Sequence, residues 1–175
     1  SDARQGIKIA TYNVAAFGRE TSGFMALDIL AEMKRQKVDV LCLQEYSDVC
    51  GDKRNSVSYK EYFPYMSFGK QDMVIYSRYP ITESKAIPFD NTNNSAMWAN
   101  IDVNGKNIRV FNVHLETTGF NRTLRKAQKM AEQGLTIENN KLLSSIYDNY
   151  TLGMITRAGQ ANIVAREKQL TDIPS

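Results

Sequence analysis

The pattern of apolar and polar positions predicts strands and one helix as far as residue 115, and helices from residue 122 onward. Ile7–Val14 is rich in strand formers, and Asn13 comes near the end of this predicted strand. Val38–Leu43 is apolar except for one aspartate, which is typical of a strand buried on both faces, and Glu45 stands two residues after it. A helix between the two strands, ending near Gln36, completes a β-α-β unit. This unit favours parallel pairing inside a sheet.

The clearest local signal is a hairpin. Asn104-Gly105 separates two strand-like runs, Ala96–Val103 and Asn107–Leu115, and an Asn-Gly pair in that position is typical of a tight two-residue turn. On the second strand, Asn112 and His114 share one face because side chains two residues apart point the same way.

The remaining segments are less regular. Residues 46–64 are polar with no clean period, which indicates a loop, and Met73–Tyr76 is predicted as a short strand. Apolar residues recur at helical spacing in three later segments: Leu124–Leu135, Asn140–Tyr147 and Thr156–Leu170. Together these elements predict an α/β fold with a mixed β-sheet and flanking helices, in a single domain over residues 1–175.

Composition narrows the class of protein only slightly. Hydrophobic residues make up 42% and charged residues 23% of the chain, as in a globular domain. The net charge is +3, and the whole excess lies in residues 117–175, which fits a solvated helical face better than a dedicated phosphate-binding surface. Two cysteines and one histidine do not indicate a disulfide framework or a zinc site. The polar start of the chain is compatible with a removed export signal or membrane anchor.

Three polar side chains come at the ends of predicted strands: Asn13, Glu45 and His114. Ligand sites of open α/β sheets gather at such ends, and a carboxylate oxygen is a donor that Mg²⁺ or Mn²⁺ prefers. His114 has the chemistry of a general acid or base, or of a cation that stabilises a phosphate oxyanion. Taken alone, Glu45 is more often a solvated strand-end carboxylate, Asn13 a turn residue and His114 a structural histidine. The residues by themselves therefore predict a polar cluster without naming a reaction.

Four motifs in order give the chain a family resemblance: Lys8–Val14, Asp39–Glu45, Ser77–Ile81 and Val110–Leu115. In this order they resemble the first half of the endonuclease/exonuclease/phosphatase family. That family includes deoxyribonuclease I, abasic-site endonucleases, inositol-polyphosphate phosphatases and neutral sphingomyelinases. The resemblance implies a four-layer sandwich of two mixed sheets flanked by helices, of which this chain would supply about one half.

The resemblance also implies a chemistry. It implies hydrolysis of a phosphate ester with a divalent cation, Mg²⁺ or Mn²⁺, and an activated water in line with the leaving oxygen. Glu45 matches the metal-binding glutamate, Asn13 the strand-end asparagine of the active site, and His114 the histidine that contacts the scissile phosphate. Asn112, on the same strand face as His114, is a candidate substrate-binding neighbour. Arg78 lies in a matching motif, but no chemical role is assigned to it.

The second-half motifs of the family, Gly-Asp-x-Asn and Ser-Asp-His, do not occur in the sequence. The family assigns to them the residues that position and activate water. We therefore expect a C-terminally truncated domain that hydrolyses phosphate esters slowly or not at all. The alternative is a non-catalytic binding or interaction module that keeps the scaffold.

The expected partner is a phosphate ester: nucleic acid, a phosphoinositide or a phospholipid headgroup. The choice among these would depend on residues 46–64 and 117–155, which carry no recognisable code. One sheet of a two-sheet sandwich would expose the apolar face meant for its partner sheet. On that basis we expect self-association through the face, or coverage by the helical tail.

Overall fold

The structure is a computed structural model and describes residues 6–15, 26–46, 53–70, 72–118, 120–134 and 139–175. The chain divides into two compact units. The first extends to His114 and also includes Thr171–Ser175, and the second comprises Leu115–Leu170. The single domain predicted over residues 1–175 stays a prediction.

The first unit contains a four-stranded mixed sheet, which we call sheet A. Its strands are listed in chain order: β1 (Ile9–Asn13), β2 (Val40–Gln44), β3 (Tyr65–Phe68) and β4 (Val74–Ser77). Their spatial order is β1-β2-β4-β3, with β1 and β2 parallel and the other pairs antiparallel. Helix α1 (Ala26–Arg35) lies between β1 and β2 in the chain, which confirms the predicted β-α-β unit. The residues just before this helix lie outside the described part of the chain.

A second, three-stranded sheet, sheet B, is antiparallel throughout. Its strands are β5 (Ile81–Pro88), β6 (Ser95–Val103) and β7 (Lys106–His114), in that spatial order. The turn between β6 and β7 places Asn104 at φ 54° and Gly105 at φ 89°, the left-handed backbone that a type I′ turn needs. The hairpin predicted from Asn104-Gly105 is therefore confirmed.

Strand β2 is buried on both faces, as its sequence predicts. Leu41 and Leu43 belong to a core cluster shared with α1 and with Tyr59 and Phe63. Val40 and Cys42 point the other way, into an apolar cluster between the two sheets that also contains residues of β4, β6 and β7: Ile75, Met97, Ala99, Ile101 and Val110. Burial of each such side chain contributes about 1.5–3 kcal/mol, and β2 is one of the two interior strands of sheet A.

Two expectations from the sequence are wrong in detail. Within the segment predicted as a loop, Lys53–Tyr62 forms helix α2. Its weak apolar periodicity hid it, and its core contacts come from Tyr59 and from Phe63 just beyond its end. The sequence also led us to expect a single sheet, with its apolar face covered by a second copy or by the helical tail. Both sheets lie in this chain and their inner faces pack together, so self-association stays a prediction without that support.

The second unit contains two helices, α3 (Phe120–Glu132) and α4 (Asn139–Gln169). The last two predicted helical segments join into the 31-residue α4. Arg157 Nη1 donates to the Glu116 carbonyl oxygen at 2.7 Å, and the Glu116 N–H donates to Gln160 Oε1 at 2.7 Å. The segment before α3 is therefore fastened to one stripe of α4. In the described part of the chain, no helix combines the length and apolarity that a membrane crossing requires.

Candidate active site

Glu45 follows β2 and breaks the alternation of that strand. Gln44 faces sheet B with Cys42, so a regular strand would turn Glu45 towards the helices. Instead its backbone adopts φ 54°, a left-handed conformation that costs a residue with a Cβ atom about 1–2 kcal/mol. The carboxylate consequently reaches the end of sheet B. Strain of this kind concentrates at functional sites.

His114 is the last residue of β7 and meets this carboxylate. Its Nε2 lies 3.7 Å from Glu45 Oε1, and the two side chains are 24% and 46% exposed. In the β6–β7 ladder His114 pairs with the buried Ser95, whose hydroxyl donates to the Lys70 carbonyl oxygen at 2.9 Å. The imidazole is thus held by regular structure yet remains open to solvent, as a group that handles protons or phosphate must be.

Asn13 ends β1 beside the same edge of sheet A. Its register partner is Gln44, the residue before Glu45. Asn13 Oδ1 accepts the Ala15 N–H at 3.0 Å, and this turn places Ala15 at φ 45°. A carbonyl oxygen has two lone pairs, so the exposed amide keeps acceptor and donor capacity for a ligand.

Asn112 has a different environment from the other predicted site residues. It is 1% exposed, and its Nδ2 donates to the carbonyl oxygens of Leu43 at 2.9 Å and Val74 at 3.0 Å. Its Oδ1 accepts from Gln44 Nε2 at 2.7 Å. The side chain therefore connects sheet B to the end of sheet A, and its predicted role as a substrate ligand stays a prediction.

A polar pocket of about 400 Å³ opens over this edge. Among the residues that the structure describes, its lining includes Glu45, Asp72, Asn93, Asn94 and His114. The sequence did not indicate the middle three as site residues. A signal existed for the two asparagines, because they belong to the turn-rich loop that runs directly into Ser95, the partner of His114. For Asp72 no sequence pattern pointed to the pocket.

The residues at this edge fit a divalent cation of the magnesium type. Glu45 offers a half-exposed carboxylate, and Asn13 offers an amide oxygen at the end of the adjacent strand. Within the described ranges, no three or more His, Cys, Asp or Glu side chains gather into a ready metal cage. Mg²⁺ needs no such cage, since it keeps several waters and binds through one or two carboxylates and substrate phosphates.

Arg78, from the third motif, lies elsewhere. Its guanidinium stacks 4.8 Å from the centre of the Tyr62 ring, a cation–π contact between the end of β4 and α2. It is not among the residues that line the polar pocket. A structural role for Arg78 accounts for its position.

Two packed sheets, flanked by helices, with polar strand ends at one edge, define an α/β protein of the deoxyribonuclease I-like class. The chain belongs to the endonuclease/exonuclease/phosphatase family, whose sequence model matches residues 10–162. The predicted fold class is confirmed by this match and by the structural neighbours. No curated protein sequence matches the chain.

Solved structures share the fold at low sequence identity. Sphingomyelinase C from Streptomyces griseocarneus is 18% identical with a TM-score of 0.50, over 62% of this chain and 49% of that one. TDP2 from Caenorhabditis elegans is 14% identical with a TM-score of 0.54, over 73% of this chain and 43% of that one. A humanized D. rerio TDP2 is 18% identical with a TM-score of 0.52, over 73% and 55%. This chain spans about half the length of these proteins.

Proposed function

We propose that this chain carries part of the active site of a metal-dependent phosphoesterase. The observation that supports the proposal most directly is the 3.7 Å approach of Glu45 Oε1 to His114 Nε2 at the edge of a polar pocket. A carboxylate beside an imidazole in an open cleft supplies both a hard oxygen ligand and a group that donates hydrogen bonds to phosphate. Family membership supports phosphate-ester hydrolysis as the reaction class.

Glu45 and Asn13 would hold the cation, with Mg²⁺ as the expected ion and Mn²⁺ as its substitute. When bound, such an ion neutralises the charge of the phosphate and polarises its oxygens. His114, beside Glu45 in the pocket, would donate a hydrogen bond to a phosphate oxygen and stabilise the negative charge that develops there. Asn93 and Asn94 supply amide donors that orient the same phosphate, because they line the pocket with His114.

We also propose that the chain by itself turns over slowly. Its sequence lacks the Gly-Asp-x-Asn and Ser-Asp-His motifs to which the family assigns water positioning and activation. The residues described above would bind and orient phosphate. Binding without rapid hydrolysis is therefore the expected behaviour. A non-catalytic binding module, the second candidate function, is favoured by the same missing motifs.

The test is Mg²⁺-dependent hydrolysis of bis(p-nitrophenyl) phosphate, run beside Mn²⁺ binding. We expect Mn²⁺ to bind the chain, with slow turnover that Glu45→Gln and His114→Ala both abolish. Turnover as fast as that of a complete family enzyme would contradict the proposed slow rate. Metal and phosphate binding with no hydrolysis at all would favour the binding module. An absence of metal binding would overturn the assignment of Glu45.

The substrate is proposed only as a phosphate ester, of nucleic acid, a phosphoinositide or a phospholipid headgroup. One structural neighbour is a D. rerio TDP2 complexed with a single-strand DNA product, and another is a sphingomyelinase. The residues that line the pocket would contact the phosphate group that these ligands share. Mn²⁺ affinity would be measured with a short single-stranded DNA present and, separately, with sphingomyelin vesicles present. The ligand class that changes the Mn²⁺ affinity is the class that the site binds.

A further inference from the structure

A buried carboxamide network lies directly behind the candidate site. Gln44 Nε2 donates to Thr11 Oγ1 at 2.8 Å and to Asn112 Oδ1 at 2.7 Å. Asn112 Nδ2 in turn donates to the carbonyl oxygens of Leu43 and Val74. Gln44 and Asn112 are 7% and 1% exposed. Thr11 is exposed. In the described part of the chain, every buried side-chain nitrogen and oxygen has a hydrogen-bond partner, so the buried Gln44–Asn112 part of the network is complete.

The network touches all three strands that end at the site. Each of its members precedes a site residue by one or two positions in the chain: Thr11 before Asn13, Gln44 before Glu45, and Asn112 before His114. Thr11 and Asn13 share one face of β1, and Asn112 and His114 share one face of β7, because residues two apart on a strand point the same way. The partners of Gln44 therefore lie directly behind these two site residues. Displacement of any one strand would break a bond to Gln44.

The polar contact differs from the apolar packing beside it. Val40, Cys42, Met97 and Ala99 hold the sheets together through contacts that have no preferred direction. A buried hydrogen bond has a fixed length and angle, and leaving one partner unsatisfied costs about 1–3 kcal/mol. Polar groups placed at the site end of this interface therefore fix the separation of the two strand ends more sharply than side-chain packing does.

We propose that Gln44 is a positioning residue which, through Thr11 and Asn112, sets the placement of the Glu45 carboxylate relative to the His114 imidazole. Its contribution to hydrolysis rests on the proposed function, whereas the placement itself does not depend on metal or substrate. Gln44 has no place among the residues that line the pocket, so it acts through its neighbours. Gln44 Nε2 also lies 3.5 Å from the carbonyl oxygen of Cys42. This contact is longer than the bonds to Thr11 and Asn112, so it would compensate only poorly if one of those bonds were removed.

His114 is the only histidine in the sequence, and this makes the test direct. Its ring protons give a single set of NMR signals, and nuclear Overhauser contacts from them to the Glu45 side chain report the separation of the pair without metal. The variants are Gln44→Met, which removes both bonds, and the pair Thr11→Val and Thr11→Ser, which removes and keeps the hydroxyl. Ser84→Ala is the control, because Ser84 bonds Ser67 between the sheets away from the site.

We expect the Glu45–His114 contact to weaken at least twofold in Gln44→Met and Thr11→Val, and to be retained in Thr11→Ser and Ser84→Ala. Thermal unfolding shows which variants are folded, and Thr11→Val keeps the test valid if Gln44→Met does not fold. An unchanged contact in Thr11→Val and in folded Gln44→Met would overturn the positioning role, as would an absent contact in the wild type.

Mn²⁺ titration of the same proteins separates this result from the proposed function. Mn²⁺ bound at Glu45 should broaden the His114 ring signals, and Gln44→Met should need at least threefold more Mn²⁺ for equal broadening. A wild-type protein that keeps the contact but shows no broadening would overturn the metal site and leave the positioning role standing. Equal broadening in wild type and Gln44→Met would count against the positioning role.

Discussion

Glu45 Oε1 and His114 Nε2 lie 3.7 Å apart although their residues end strands of two different sheets. Two features of the chain produce this approach. The positive φ of Glu45 turns its carboxylate out of the strand alternation, and the packing of the sheets brings the end of β7 to the end of β2. The carboxylate of Glu45 and its backbone conformation can be tested by different substitutions.

Replacement of Glu45 by Gln tests the carboxylate alone. Both side chains of the pair are partly exposed, so the contact between them adds little to stability, and the free energy of unfolding should change by less than about 0.5 kcal/mol. Mn²⁺ affinity should fall by about 10- to 100-fold or more, since loss of groups that merely support a metal ligand already costs that much. Isothermal titration with Mn²⁺ and chemical denaturation measure the two effects. Unchanged affinity would remove Glu45 from the metal site.

The backbone of Glu45 is tested by comparing Glu45→Gly with Glu45→Ala. Both remove the carboxylate, but only glycine relieves the left-handed conformation at φ 54°. We expect Glu45→Gly to be more stable than Glu45→Ala by about 1 kcal/mol in urea denaturation. In ordinary backbone the order is reversed by about 0.4–1 kcal/mol, because glycine gains entropy in the unfolded chain. An alanine variant more stable than the glycine variant by about 0.4–1 kcal/mol, as in ordinary backbone, would mean that this residue is not strained.

The sequence pattern predicted a cluster of candidate residues at strand ends, but not the backbone turn through which Glu45 reaches His114. A buried strand followed by a carboxylate located Glu45, and strand alternation placed Asn112 and His114 on one face. Strand alternation predicts side-chain directions only while the strand continues regularly. After a single residue with a left-handed backbone, these directions no longer follow the alternation. Alternation alone would have directed Glu45 towards α1, away from His114.

The other residues that line the pocket could not be predicted from the sequence for a different reason. Asp72, Asn93 and Asn94 lie on connections whose side chains follow no period, and they meet Glu45 and His114 only because of the strand order in both sheets. A long-range arrangement of this kind depends on which strands pair. Local sequence constrains the pairing at the Asn104-Gly105 hairpin and says little about it elsewhere.

Two glycines of α4 allow a matched test of the contact between this helix and Thr118 in the segment that precedes α3. A Cβ atom on Gly153 would lie 2.6 Å from the Thr118 Cα atom, whereas one on Gly159 would meet no atom within 4 Å. Gly153→Ala should therefore destabilise the protein by about 1–3 kcal/mol through overpacking. Gly159→Ala should stabilise the helix by about 1 kcal/mol, the usual gain over glycine. Thermal unfolding followed by far-UV circular dichroism measures both, and equal shifts in one direction would contradict the close approach at Gly153.

The Cys42 thiol gives the stability of the first unit a defined alkaline pH dependence. Cys42 lies in the apolar cluster between the sheets, and burial raises the pKa of its thiol to about 12 from an ordinary value near 9. In the unfolded chain the thiol loses its proton above pH 9, while in the folded protein it keeps that proton. Stability is therefore fully present below pH 9 and is lost as the pH rises towards 12, by about 1.4 kcal/mol per pH unit.

Urea denaturation of the wild type, Cys42→Ala and Val40→Ala between pH 8 and pH 10 tests this dependence. Val40 is a matched control, because it lies on the same strand in the same cluster and has no titratable group. Burial also raises the pKa of the Tyr59 hydroxyl, so its ionisation in the unfolded chain would lower the stability further at higher pH. The measurements therefore stop at pH 10. Both variants should lose stability at pH 8 through missing apolar contacts, but only Cys42→Ala should show a shallower fall between pH 9 and pH 10. Parallel curves for all three proteins would show that the Cys42 thiol ionises as readily in the folded chain as in the unfolded one.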